Sequence, residues 1–567
     1  MISIRNVSKR RAMVKECGLA ILAAVAIGCG GSGSSPGGSQ GVISPPATPA
    51  PSNPQEPSGL PETPEGGFPR WSVLELTLVA KADIEDPYKD VSVTGTFQSP
   101  SGERTEVPGF WAGESEFRVR FTPTTDGVWT YTVTSTPADA GLTDAGSFSV
   151  GPPADGSRGF LRRDPDHQHS FQYDDGTRLF LWGQTYYEIV RNARAGGPWK
   201  AAVDGTKKKG MSKIRLLINP AWETGTRPYP RTSPFENDDR DHLDLDHWSA
   251  LDEVVDYMNE NGMIADLILF LDHPRGFGTE PEDQRYVRYA LARYAAYPNV
   301  VWCLTNEWNY TQKSTAYWNR LGRIVRGEDP WMENGEKLRP LSIHQETRQD
   351  FQYFDTDWPV HAIVQVGVRN EVHRNGDEWG NRSILRNHGR DMPVMNDEYG
   401  YIGEPDKSEP KTDGKWPGYS RTKHRQTIWG IAMAGGHGTA GDAHDYEDGI
   451  PFFVGNWHNR PEYDDIDQLV RFWTRRSIPY WRMDPKNDLV TAKRAYARAA
   501  VGEEYVVYAA LGGTVKLNLA SGRYMGVLFN PRTGEEKALP RVSGGATRNF
   551  HLPQGEDWVL HLRNEKS

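Results

Sequence analysis

The chain has 567 residues, 37% hydrophobic and 11% aromatic, which is ample for a sizeable core and excludes a disordered protein. Its length predicts about two to four domains. The formal charge of −10, with 75 acidic against 65 basic side chains, argues against a nucleic-acid partner.

Arg5, Lys9, Arg10, Arg11 and Lys15 precede the apolar run CGLAILAAVAIGC, so residues 1–28 read as an export signal, too short to span a bilayer. AIGC, ending on Cys29, resembles the cleavage and lipidation box of bacterial lipoproteins. That resemblance implies an acylated Cys29, contact with a membrane through this anchor alone, and an exported protein of the cell surface or periplasm. An ordinary signal peptide cut nearby is the alternative. Cleavage before Cys29 removes the five basic residues and Glu16, moving the formal charge from −10 to −14. Residues 29–68 are dense in Gly, Ser and Pro and read as a tether.

From 69 to 155, SVLELTLVA, VSVTGTF, EFRVRFTP, VWTYTVTS and GSFSV alternate apolar and polar residues between turns, which predicts a β-sandwich. Most of its aromatics fall inside strands, which favours a buttress over a sugar-binding module. Residues 156–484 alternate strand and helix. Eight candidate strands cover 178–186, 212–219, 264–272, 301–307, 339–345, 361–366, 392–399 and 435–440. Amphipathic segments lie between several of them: one places Leu251, Val254, Val255 and Met258 on a single face, another Val287, Ala290, Leu291 and Tyr294, and a third Trp318, Leu321, Ile324 and Val325. HRQTIWGIAMAG reads as the helix before the eighth strand. Eight such units without a glycine-rich phosphate loop predict a (β/α)₈ TIM barrel over a doubly wound sheet. Strands return over 485–567, a C-terminal β-domain of sandwich type. The expected architecture is a multidomain chain, a (β/α)₈ barrel flanked by two β-domains.

Catalytic groups of such barrels project from the C-terminal ends of strands. The polar residues placed there are Gln184 and Tyr186, with Tyr187, on strand one; Asp272 and His273 on strand three; Asn306, Glu307 and Trp308 on strand four; His344 and Gln345 on strand five; Asn396, Asp397, Glu398 and Tyr399 on strand seven; and His437 on strand eight. Glu307 and Glu398 face each other across the expected mouth, each beside an amide or carboxylate and an aromatic. Glycoside hydrolysis needs one carboxyl to protonate the leaving oxygen and another to attack, or to guide water to, the anomeric carbon. The separate reading of either Glu as a salt-bridge partner weakens when two stand in matching positions. Asn306, Asp272, His273, Gln184, His344, Gln345 and His437 supply donors and acceptors for sugar hydroxyls, and Trp308, Tyr186 and Tyr399 supply ring faces.

A metal centre is not expected: no HExxH occurs, and His437, Asp442, His444 and Asp445 sit in a glycine-rich stretch without one ligand geometry. No organic cofactor is expected either. The chain has no GxSxG elbow, and Cys303 lies mid-strand, a buried inert thiol. Long inserts at 221–241 and 402–420 read as pocket walls that favour exo cleavage.

WGQTYYEI, TNEWNY, NDEYGY and GGHGTAGD, between a sandwich and a terminal β-domain, together resemble the apiosidase-like glycoside hydrolases of the large retaining (β/α)₈ clan. The resemblance implies a carbohydrate substrate, Glu307 as acid/base, Asn306 as substrate-binding residue and Glu398 as nucleophile. The chain departs from the usual pattern with GQT on strand one and GHGTAGD on strand eight, so the implied sugar widens from apiose to other furanosides or to an acidic plant or algal polysaccharide. Two alternatives stay open: a carbohydrate-binding lipoprotein without catalysis, and an inverting hydrolase that uses Asp272 or Asp397.

Overall fold

The computed structural model describes residues 67–219, 231–346, 350–365, 375–400, 420–441, 444–445, 450–451 and 460–566. The export signal, Cys29 and the tether through residue 66 lie outside them, as do residues 221–230 of the first long insert and 402–419 of the second.

Two sheets form the N-terminal β-domain. One has five strands, in the order 68–69, 144–151, 127–136, 92–98 and 104–108; the other has three, in the order 74–79, 116–121 and 110–113. Alternation puts Leu74, Leu76 and Leu78 inside against Phe117, Val119 and Phe121, and Phe97 stacks on Phe121 at 3.9 Å between ring centres. The strands 104–108 and 110–113 are short, and neither shows a clear alternation in the sequence.

The barrel strands are β1 (Trp182–Thr185), β2 (Lys213–Leu217), β3 (Ile264–Phe270), β4 (Val300–Thr305), β5 (Leu341–Ser342 continued by His344–Gln345), β6 (Ala362–Val364), β7 (Val394–Asn396) and β8 (His437–Ala440). All neighbouring pairs are parallel. Leu341–Ser342 pairs with β4, His344–Gln345 with β6, and β8 with β1, so the sheet closes on itself. The expected (β/α)₈ architecture is thus observed. Gly183 permits the approach of β1 to β2, since a Cβ there would stand 2.8 Å from both Cβ and the carbonyl oxygen of Lys213.

Helix signals act where the sequence carries them. In α1 (Leu245–Glu260), Asp244 caps the start by accepting from the His247 N–H at 3.1 Å, and Leu251, Val254, Val255 and Met258 are buried. A Thr279–Glu282 capping box opens α2 (Glu280–Tyr294), and Ser314 caps α3 (Thr315–Glu328). Further on, α4 (Gly376–Leu385) packs against α5 (Arg421–Met433), whose apolar stretch is a helix as expected.

The expected first strand divides in two. Arg178–Leu179 joins Phe171–Tyr173 and Leu161–Arg163 in a small antiparallel sheet. Leu161, Phe171, Tyr173 and Leu181 pack on Ile264, Val301 and Met395, near the starts of β3, β4 and β7, and so plug the barrel floor. Residues 484–564 form a six-stranded and a three-stranded sheet around a separate apolar core.

Both β-domains are joined to the barrel by buried arginine pairs. Arg120 of the sandwich and Arg293 of α2 each reach Asp252 of α1 at 2.8 Å. On the other side Arg425 of α5 reaches Asp557 through two nitrogens at 2.8 and 3.0 Å, and Trp429 stacks on Tyr508 at 5.5 Å. Among the described residues no helix is long and apolar enough to cross a membrane.

Candidate active site

The carboxyl end of β4 delivers two neighbouring side chains to the mouth. Asn306 is buried, and its N–H donates to the Phe270 carbonyl of β3 at 3.0 Å. Glu307 then turns outward with φ 38° and ψ 57°, a left-handed conformation that costs a non-glycine residue on the order of 1 kcal/mol. The turn starts a short 3-10 helix, Trp308–Tyr310, and leaves Glu307 partly exposed. Asp272, just past β3, hydrogen-bonds the side chains of Asn306 and Glu307. Burial, outweighing those bonds, pushes the Asp272 carboxyl above the usual carboxylate range. Two carboxyls in hydrogen-bond contact need a proton between them, so this pair retains one that isolated carboxylates would have lost.

Glu398 sits in different surroundings. It is buried just past β7, accepts from the Tyr187 hydroxyl at 2.9 Å and lies 3.5 Å from an Arg215 Nη. Arg215, fully buried on β2, also donates to the Tyr187 hydroxyl at 2.8 Å, to His344 Nδ1 at 2.7 Å and to Asn306 Oδ1. Burial pulls the guanidinium pKa down, but the acidic groups Tyr187, Asp397 and Glu398 outweigh it and hold it above the ordinary value. Burial, then the charge of Arg215, keeps His344 neutral; with Nδ1 accepting, its other nitrogen faces Glu398 at 3.9 Å, too long for a direct bond. The Tyr187 phenol is pushed up by burial first and then, Arg215 opposing, by both Glu398 and Glu307.

One layer deeper, Lys213 of β2 donates to Asp266 of β3 and to Asp397, each at 2.8 Å, and Thr439 of β8 also donates to Asp397. Burial alone would raise Asp397, but Lys213 and Arg215 outweigh it and keep it ionised; Asp266 is pushed up, by burial first. The mouth thus rests on a charged layer made by alternate residues of β2, Lys213 and Arg215.

Of the residues singled out in the sequence, Asp272, Asn306, Glu307, His344 and Glu398 converge. His273 stands beside them and caps a short 3-10 turn. Tyr186 is fully buried and accepts from Asn192 at 2.6 Å; Tyr399 accepts from Trp182 Nε1 at 3.3 Å; Trp308 packs edge-on against Tyr353. Gln345 is bound to the 350–352 segment, and Gln184 is buried within β1. His437 requires correction: it opens β8 instead of ending it, and its Nε2 meets the His169 carbonyl oxygen at 3.1 Å on the barrel floor. Asp397 is likewise sealed beneath the mouth by Lys213 and Thr439. Arg215 was passed over, and Tyr187 was placed at the end of strand one without a role. The available signal was a Lys and an Arg two residues apart in KIRLL, a strand otherwise apolar and buried throughout. Among the described residues no three His, Cys, Asp or Glu converge as metal ligands; Asp442, and the side chains of His444 and Asp445, lie outside what is described.

A closed parallel barrel with carboxylates at its carboxyl mouth and a β-domain on each side is a glycoside-hydrolase-like fold. Comparison with known proteins agrees with that fold. The family model described as "Apiosidase-like, catalytic domain" matches residues 165–444. A domain of unknown function matches 67–136, and "Putative collagen-binding domain of a collagenase" matches 485–563. Among solved structures, one described as a "putative glycoside hydrolase" from Bacteroides vulgatus is similar with TM-score 0.71 and 23% identity, covering 88% of this chain and 99% of that one. A glycoside hydrolase family 5 structure from the same organism is similar with TM-score 0.59 and 17% identity, covering 72% and 94%. A third, described only as a glycoside hydrolase, has TM-score 0.58 and 14% identity, covering 72% and 98%. No curated protein matches in sequence.

Proposed function

We propose that the chain is an exported, lipid-anchored retaining glycoside hydrolase acting on a plant, algal or microbial polysaccharide or oligosaccharide, releasing a furanoside from the chain end. Glu398 attacks the anomeric carbon while Glu307 passes its proton to the leaving oxygen. Glu307 then takes a proton from water, which cleaves the glycosyl ester and frees Glu398.

The observation that carries this reading is the unequal setting of the two carboxyls. Glu398 faces a phenol O–H and a guanidinium, which favour the anion a nucleophile must be. Glu307 shares its hydrogen bond with a second carboxyl, Asp272, which favours a retained proton. Pairs of titratable groups with environments pushing them apart are how one site holds an acid and a nucleophile at the same pH. The inverting alternative through Asp397 loses support from its burial, whereas Asp272 stays within reach of the mouth. The furanoside follows from the apiosidase-like match, and the exo action from the lengths of the two inserts.

Hydrolysis across aryl furanosides, aryl pyranosides and oligosaccharides, with the anomer first formed read by NMR, tests the proposal. Retention is expected, and Glu307→Gln or Glu398→Gln should keep less than about one hundredth of the turnover. An inverted first product would move the base to Asp272, and absence of hydrolysis throughout would leave a carbohydrate-binding protein.

A further inference from the structure

Leu217 of β2 and Ile363 of β6 meet in one apolar cluster with Tyr187, Ile268 and Cys303, so two strands on opposite sides of the barrel turn these side chains inward. Side chains along a strand alternate, and the residue two further on faces the same way, one step nearer the mouth. Those residues are Asn219 and Gln365. Ladder hydrogen bonds carry the strands up to them: the Ile218 N–H donates to the Ile268 carbonyl at 3.0 Å, and the Asp397 N–H donates to the Val364 carbonyl at 3.1 Å. The second of these bonds sets Gln365 beside the end of β7, where Asp397 and Glu398 follow.

Both residues are buried, at 2% and 5% exposure, and neither Asn219 Oδ1 nor Gln365 Oε1 has a hydrogen-bond partner in the protein. Asn306, also an amide at the mouth, differs: its oxygen accepts from Arg215 and from the Tyr187 hydroxyl at 3.4 Å. His344 adds a donor. Its Nδ1 accepts from Arg215, so Nε2 carries the proton, and that N–H is buried without a hydrogen bond, 3.9 Å from Glu398. A buried polar group left unpaired is costly, and two carboxamides and an imidazole in that state are matched by a ligand bearing hydroxyls. A hydroxyl both donates and accepts; an ether or ester in its place has no proton to give a carboxamide oxygen.

We infer that Asn219 and Gln365 are substrate-binding residues that hold the transferred sugar ring from opposite sides, each carboxamide oxygen accepting from a free ring hydroxyl and the His344 N–H donating to the same ring. The inference rests on the glycosidase reading and adds to it that the transferred unit carries unsubstituted hydroxyls. A barrel of this size has room for side chains or one small ligand, which limits what sits between the two carboxamides to a single sugar ring. The nearness of Gln365 and His344 to Glu398 makes that ring the one the nucleophile attacks.

Asn219→Leu and Gln365→Met keep the shape of each side chain and remove its hydrogen-bonding atoms. Calorimetry in the Glu398→Gln background would use the 4-nitrophenyl glycosides of apiose, arabinofuranose, galactofuranose and galactopyranose, each beside a counterpart with its sugar hydroxyls methylated. At least one free glycoside is expected to bind and its methylated counterpart to fail, and each variant should weaken that binding by about tenfold or more. Urea midpoints of both variants should hold or rise, because no bond within the protein is lost; a residue with a merely structural role would lower them. Unchanged affinity in both variants, equal binding of free and methylated probes, binding of none of them, or midpoints that fall together with affinity would overturn the assignment. The methylated probes act on unaltered binding residues, so the test survives a variant that fails to fold. Affinity lost in both variants, with no probe hydrolysed by the unmodified chain, would support the assignment and remove the glycosidase reading alone. Hydrolysis with unchanged affinity in both would remove the assignment alone.

Discussion

The mouth and the floor of the barrel both bury polar side chains, yet they do so in opposite ways. At the mouth Arg215, Lys213 and Asp397 keep their charges and are compensated by one another. At the floor His361 and His437 are kept neutral by burial, both against the Phe171 ring. Paired charge is expensive to bury and is retained where an electric field is useful, whereas neutral imidazoles fill a floor at little cost. The contrast teaches that polarity at a strand terminus does not identify a site; the kind of polarity does.

Removing the charge of Lys213 tests the contrast most severely. Lys213→Met leaves Asp266 and Asp397 uncompensated and should cost about 3–5 kcal/mol in urea unfolding, with turnover falling as well because Arg215 loses its neighbour Asp397 as a fixed anion. Retained stability would mean that the charged layer is not structural. At the floor Phe171→Ala should cost a similar amount, about 3–5 kcal/mol, while kcat/KM of the folded protein stays within about twofold; a large catalytic loss would erase the distinction between the two ends.

Acid provides the next test. Burial holds His437 at about 4 and His361 at about 3, below the value near 6.5 of an unfolded chain. Between roughly pH 6.5 and pH 4 the unfolded chain therefore takes up protons that the folded one refuses, and stability present above that window is lost on acidification. For His437 the loss is on the order of 3 kcal/mol. Urea midpoints should fall across the window, and His437→Gln should flatten the slope; an unaltered slope would place the acid sensitivity elsewhere. The smallest effect belongs to Tyr187→Phe, which removes one hydrogen bond at the mouth. A stability change of about 1 kcal/mol is expected, against a turnover loss of tenfold or more if the hydroxyl sustains the Glu398 anion.

Much of the architecture was legible because its signals are local. The alternation in 74–79 and 92–98, the spacing of Leu251, Val254, Val255 and Met258, and the apolar VVWCLT run each specify their element without help from distant residues. Glu307 and Glu398 were legible for the same reason, as carboxylates at the carboxyl ends of such runs. What escaped depends on pairing. Strands 161–163 and 171–173 are three residues each and exist only because they meet one another. The role of Arg215 is a property of β2 facing β4, β5 and β7 together, and His437 was misplaced because the short β8 begins two residues later than its glycines suggest.

Asp252 has a consequence for how such chains diverge. It receives Arg120 from the sandwich and Arg293 from α2, so one barrel carboxylate serves as the socket for two cations from different parts of the chain. Exchange of the sandwich for another would leave that carboxylate short of a partner in a buried seam, and loss of the carboxylate would strand two arginines. Positions 120, 252 and 293 should therefore be inherited as a set, which makes the sandwich a fixed companion of this barrel, unlike a module that travels between proteins.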